Sequence, residues 1–134
     1  HEAITWLEQK RDKSKPFYLQ VWTHEPHLPI ESDPKFMAPY GELEPDVQQH
    51  HGNVTQMDFA FGQVMAALDR LQLSGQTLVI FTADNGPEGK GDNARTRGST
   101  GGLRGRKRDV YEGGVRVPFI VRWPGKAPAG TTQD

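Results

Sequence analysis

Three groups of residues in this chain have the types and spacing to do chemistry. The first is Asp84-Asn85-Gly86, which sets a carboxylate beside an amide oxygen. Such hard oxygen donors suit calcium or magnesium, and the glycine lets the backbone turn tightly beside an ion. The same three residues also make an ordinary turn. The second group is His24 and His27, separated by Glu25-Pro26. Proline disfavours helix in the residue before it, so the pair belongs to a loop rather than to one helix face. A histidine there can donate a proton, hold an anion, ligate a metal or simply be solvated. The third group holds Arg95, Arg97, Arg104, Arg106, Lys107 and Arg108, opposed by Asp92 and Asp109 and interleaved with glycines at 98, 101, 102 and 105. That composition suits sulfate, phosphate or a polyanion, and equally a solvated loop. His50 and His51 read as polar helix positions with no assigned role.

Each group adjoins an apolar run. Phe17–Trp22 leads into His24, Thr77–Thr82 leads into Asp84, and the glycine-rich Gly101–Gly114 leads into Val117–Trp123. In open α/β sheets, ligands bind beyond the carboxyl ends of strands. Val54, Met57, Phe61, Val64, Leu68 and Leu71 step by three and four, which predicts a helix over Asp46–Leu71. Gly75 falls in the turn after it. His1–Lys10, with Ile4 and Leu7 three apart, reads as the last turns of an amphipathic helix. Thr23–Pro45 and Ala83–Arg108 read as long loops. Strand, helix and strand in that order predict a right-handed parallel crossover, hence an α/β fold. Phe17–Trp22 and Thr77–Thr82 are then parallel neighbours, each covered on both faces.

Composition bounds the function. The chain has 134 residues and a formal net charge of -1, which argues against general nucleic-acid binding. It has no cysteine, so disulfides, zinc-thiolate sites and a thiol nucleophile within this stretch are excluded. No apolar run approaches 18 residues, so no membrane span is expected. Ten prolines, 15 glycines and a mean hydropathy of -0.71 indicate much loop. No capping sequence precedes the opening helix, and Pro124–Asp134 is a Pro/Gly/Thr loop. The segment is therefore expected to be part of a larger domain.

The order and spacing of several tracts carry a resemblance. They are Thr23-His24-x-Pro26, Met57-Asp58 in the helix, Thr77 to Gly86 (TLVIFTADNG), Gly105-x-Lys107, and Tyr111 to Pro118 (YEGGVRVP). Together they resemble the formylglycine-dependent sulfatases of the alkaline-phosphatase-like superfamily, over nearly the whole chain. The resemblance implies a mixed, largely parallel sheet flanked by helices, with residues 1–134 forming the later part of the catalytic domain. It implies calcium ligands at Asp84 and Asn85, a histidine on the leaving-group side at His24, and a sulfate-binding lysine at Lys107. It assigns His27 and Arg104 to substrate binding, Glu112-Gly113-Gly114 to a shape-setting turn, and Asp58 to anchoring the helix. Arg106 and Arg108, flanking the lysine, are expected to be exposed. The family's nucleophile arises in a Cys/Ser-x-Pro-x-Arg stretch, and this chain holds none. The implied partners are a sulfated small molecule or glycan and the missing N-terminal part of the same domain. The segment alone is then inactive, and a periplasmic or extracellular location is expected. Other readings are a phosphatase or phosphotransferase of the same superfamily, and a non-catalytic module that binds sulfated glycans.

Overall fold

A computed structural model describes residues 1–89 and 97–132. The elements in chain order are α1 (Glu2–Thr5), which runs on into a wider π-type turn over Trp6–Lys10, α2 (Pro34–Met37), α3 (Pro45–Arg70), β1 (Val79–Thr82), α4 (Glu112–Val115) and β2 (Phe119–Arg122). Among the described residues no helix is long and apolar enough to cross a membrane.

The long helix falls where the apolar stripe places it. Pro45 opens α3 at a position whose N–H needs no helical partner. The helix ends at Arg70. The reversal after it is made by Gln72, which adopts a left-handed conformation at φ 58°, and not by Gly75. Ala67 and Leu68 on α3 are buried with Leu7 and Leu73, and Trp6, Phe17, Leu19, Val64, Met65, Leu71 and Val79 pack around the leucines. Leu7 has 0% exposure, so the opening helix closes one side of this small core.

The sheet differs from the sequence expectation. Among the described residues there is one ladder, and it is antiparallel: β1 pairs with β2, Val79 opposite Arg122 and Thr82 opposite Phe119. Phe17–Trp22 forms no strand; a parallel pairing with β1 is not seen. Its side chains alternate over the first four residues, with Phe17 and Leu19 packed against the core and Tyr18 and Gln20 exposed, and Val21 and Trp22 are then both exposed. The physical reason is the number of covering layers. Strands apolar on both faces need a layer on each side. In this chain α3 supplies one, with Phe61 against Phe81 at 5.5 Å between ring centroids. The other side leaves Ile80, Phe119 and Val121 exposed, and Trp22, outside the ladder, reaches 85% exposure.

Thr23–Pro45 is more ordered than a bare loop. Asp33 caps α2 by accepting the Lys35 N–H at 3.0 Å, and Pro34 occupies the first turn. Phe36 packs on Phe59 of α3, and the Tyr40 hydroxyl meets Thr55 Oγ1 at 2.7 Å. The chain before α2 is tied to the same helix by Ser32 to the Gln49 carbonyl (2.7 Å) and Asn53 to the Glu31 carbonyl (2.9 Å).

Candidate active site

The antiparallel register decides which loops meet. β1 ends at Thr82, directly opposite the start of β2 at Phe119. The chain leaving β1 (Ala83–Gly86) therefore runs beside the chain entering β2 (Glu112–Pro118). The Gly86 N–H donates to the Gly114 carbonyl at 2.9 Å, and the Lys107 N–H donates to the Pro87 carbonyl at 3.0 Å. Glycine is required here for proximity. A Cβ on Gly86 would lie inside the Gly113 carbonyl, and one on Gly114 inside the Asp109 carbonyl. Gly86 is not among the glycines with positive φ, so its role is close approach, not an unusual turn. The short helix α4 is thus the spacer that sets the distance between the two loops.

On this clasp sit Asp84, Asn85, Arg104 and Lys107. Asp84 is exposed. The Asn85 amide nitrogen donates to the Gly86 carbonyl at 2.8 Å, which leaves its oxygen as the free end of the side chain. Lys107 Nζ lies 3.4 Å from Glu88 Oε2. Arg104 stacks its guanidinium 3.6 Å from the Tyr111 ring centroid and donates to the Tyr111 hydroxyl at 2.7 Å. That contact holds its planar fork in one orientation.

The histidines occupy another loop. His24 and His27 are both exposed, with ring centroids 5.8 Å apart, and the His27 N–H donates to the His24 carbonyl at 2.8 Å. The loop is fixed from α3: Gln56 donates to the Glu25 carboxylate at 3.1 Å and accepts the Asp33 N–H at 3.0 Å. Among the described residues no hydrogen bond, ion pair or ring contact joins His24 or His27 to Asp84, Asn85, Arg104 or Lys107. The structure brings together the Asp84 and Lys107 loops and leaves the two histidines as a separate pair.

Three residues matter more than their sequence positions suggest. Arg106, expected to be exposed, is half-buried; its guanidinium donates to the Gly98 and Glu88 carbonyls, and its Nε is buried without a partner. His50, given no role, is buried at 8% exposure beside Gly98. Burial pushes its imidazole pKa down, and the neighbouring His51 adds to the effect. Glu88 accepts from Arg108 Nη1 at 2.6 Å while pairing with Lys107, and chiefly the Arg108 hydrogen bond holds its carboxyl below the usual range. Glu88 lies two residues beyond the Asp84-Asn85-Gly86 group and carried no signal of its own in the sequence. Arg97 of the basic stretch pairs with Asp46 of α3 at 2.7 Å, while Arg95 and Asp92 lie outside the described residues.

Asp84 and Asn85 offer the hard oxygen ligands that calcium takes. Among the described residues no three His, Cys, Asp or Glu side chains converge as a metal cage. Calcium takes six to eight oxygens, so the pair would fill only part of such a shell.

Comparison with known proteins agrees with the sequence resemblance. The family model described as Sulfatase matches residues 1–134. An N-acetylgalactosamine-6-O-sulfatase of Bacteroides thetaiotaomicron is 40% identical over 129 residues, which is 90% of this chain and 24% of that protein. Arylsulfatase A of Homo sapiens is 37% identical over 132 residues, 94% of this chain and 23% of that protein. Among solved structures, Ps i-CgsB in complex with k-i-k-neocarrahexaose superposes with a TM-score of 0.85 at 28% identity, over 96% of this chain and 28% of that one. The chain therefore spans less than a quarter of the length of these curated relatives. Matched along its entire length by the family model, and sharing its fold with one such stretch of a larger structure, the chain belongs to the sulfatase family.

Proposed function

We propose that this chain supplies about half of the active site of a calcium-dependent sulfatase, an enzyme that hydrolyses a sulfate ester to an alcohol and sulfate. The observation that carries the reading is the clasp: Gly86 to Gly114 and Lys107 to Pro87 set a hard oxygen pair and a lysine on two loops locked at a common edge. A sulfate ester carries one negative charge, and more gathers on the bridging oxygen as the S–O bond breaks. Lys107 offsets charge on the sulfuryl oxygens with its ammonium donors. His24 protonates the departing oxygen, which matters most for alkoxides that leave poorly. Arg104 and His27 bind the rest of the substrate. Asp84 and Asn85 hold calcium, which polarises the sulfuryl group when bound.

The nucleophile, a formylglycine in the family, comes from outside these 134 residues, so the segment alone is inactive. The exposed side of the β1–β2 sheet, with Ile80 and Phe119, is where the rest of the catalytic domain packs, and the exposed Trp22 is covered in the same way. We place the enzyme in the periplasm or outside the cell, acting on a sulfated glycan or small sulfate ester. The test is hydrolysis of 4-nitrophenyl sulfate and 4-nitrophenyl phosphate by the full-length protein, before and after chelation. The expected result is sulfate-ester hydrolysis that chelator abolishes and calcium restores. Preference for the phosphate ester, or indifference to chelator, would overturn the reading.

A further inference from the structure

We propose that Glu88 is a positioning residue for Lys107, fixing its ammonium against the loop that carries Asp84 and Asn85. This rests on the sulfuryl-oxygen role given to Lys107 above. A lysine is a point charge on a flexible four-carbon stem, so by itself it aims poorly. Here it is held twice. The Lys107 N–H donates to the Pro87 carbonyl, and one residue on, Glu88 Oε2 lies 3.4 Å from Nζ. The two side chains are only 22% and 20% exposed, unlike the 70% of Arg108. The other carboxylate oxygen is taken by Arg108 at 2.6 Å, which fixes the plane of the carboxylate. The Glu88 carbonyl in turn accepts from Arg106 at 3.5 Å.

The Glu88 carboxylate thus lies between two adjacent cations, Lys107 and Arg108, whose charges would otherwise drive the side chains apart. Asp109 does not substitute for it, because its Oδ2 accepts the Arg106 N–H. An ammonium has three donors, so one contact with Glu88 leaves two for a sulfuryl oxygen. Glu88 itself carries the wrong charge to bind the substrate's sulfate. Its effect on the reaction therefore passes through Lys107.

The test is a double-mutant cycle in the full-length protein: Glu88→Gln, Lys107→Ala and both together. It is read as kcat and KM on 4-nitrophenyl sulfate and as calorimetric affinity for inorganic sulfate. Glu88→Gln is expected to lower kcat/KM about tenfold, the usual size for a residue that orients a binding group. It should have no further effect once Lys107 is alanine, since groups acting as a unit are not additive. Equal losses in both backgrounds would overturn the proposal, because a purely structural glutamate acts regardless of residue 107. A costly Lys107→Ala beside a harmless Glu88→Gln would overturn the positioning role alone. A harmless Lys107→Ala, with sulfate affinity intact, would bring down the sulfuryl-oxygen reading and this inference with it.

Discussion

Gly86→Ala is a one-carbon perturbation of the contact on which the site depends. The added Cβ would overlap the Gly113 carbonyl and crowd the Gly114 Cα. Both neighbours are backbone, so no side chain can rotate away. The loops must part by about 1 Å or more before carbon and oxygen reach ordinary contact. Parting them breaks the bond from the Gly86 N–H to the Gly114 carbonyl, worth about 1 kcal/mol net. Overpacking in a closed contact costs about 1–3 kcal/mol more. The sum is about 2–4 kcal/mol of stability, with the Asp84 and Lys107 loops displaced from each other. Gly62→Ala is the matched control, since Gly62 lies within α3 and a Cβ there meets nothing within 4 Å. Replacing a helix-interior glycine by alanine should stabilise by about 0.5–1 kcal/mol. Denaturant midpoint and sulfate-ester kcat/KM should both fall for full-length Gly86→Ala, whereas for Gly62→Ala the midpoint should rise and kcat/KM stay unchanged. Stability for Gly86→Ala within 0.5 kcal/mol of wild type would refute the close-approach argument.

Lys107→Ala should raise the barrier by about 2–4 kcal/mol, read as kcat/KM on an aryl sulfate, because it removes a charge-assisted contact made in a water-poor site. Arg106→Ala should cost about 1–3 kcal/mol of stability, seen as a lower denaturant midpoint, since it strips a donor from the Gly98 and Glu88 carbonyls. The exposed Arg108 should matter less to the midpoint. His24→Ala should slow hydrolysis of sugar sulfates more than that of 4-nitrophenyl sulfate, whose leaving group needs little protonation; equal slowing would remove the proton-donor role. His50 has a folded pKa below its unfolded value, so the unfolded state takes up the proton first. Its contribution to stability is present above about pH 6.5 and is lost as pH falls through the lowered folded value. The thermal midpoint should therefore drop on acidification in that window, and His50→Gln should flatten the drop.

The helix α3 was legible because its stripe, Val54 to Leu71, repeats over about five turns and one face has a core to bury. Residues 17–22 were legible as extended chain but not as an unpaired one. Their composition asks for cover on two sides, and pairing depends on neighbours that sequence periodicity does not name. The antiparallel register was likewise hidden. No local pattern separates a strand that returns beside its predecessor from one that crosses over, and among the described residues between β1 and β2 the short α4 is the one helix or strand. The placement of Asp84, Asn85, Lys107 and Arg104 came from the order of tracts, and the structure shows that the tracts share a clasp. Arg106 and Glu88 were missed for one reason. A charged residue in a glycine-rich stretch reads as solvated, and its burial depends on carbonyls contributed by residues 88 and 98.

The clasp also separates what can vary from what cannot. Pro87 and Lys107 are joined backbone to backbone, which closes a neck in the chain at these two residues. Lengthening a tethered loop adds little closure entropy, about 0.6 kcal/mol for each doubling. New sequence inserted between Gly89 and Gly101 therefore need not disturb the pair of loops below it, provided Gly98 keeps its carbonyl for Arg106. Such a neck lets the tethered stretch be rewritten while the pair of loops that it joins stays fixed. Loop exchange between sulfatases acting on different esters should then carry preference for the ester with it and leave the turnover machinery in place.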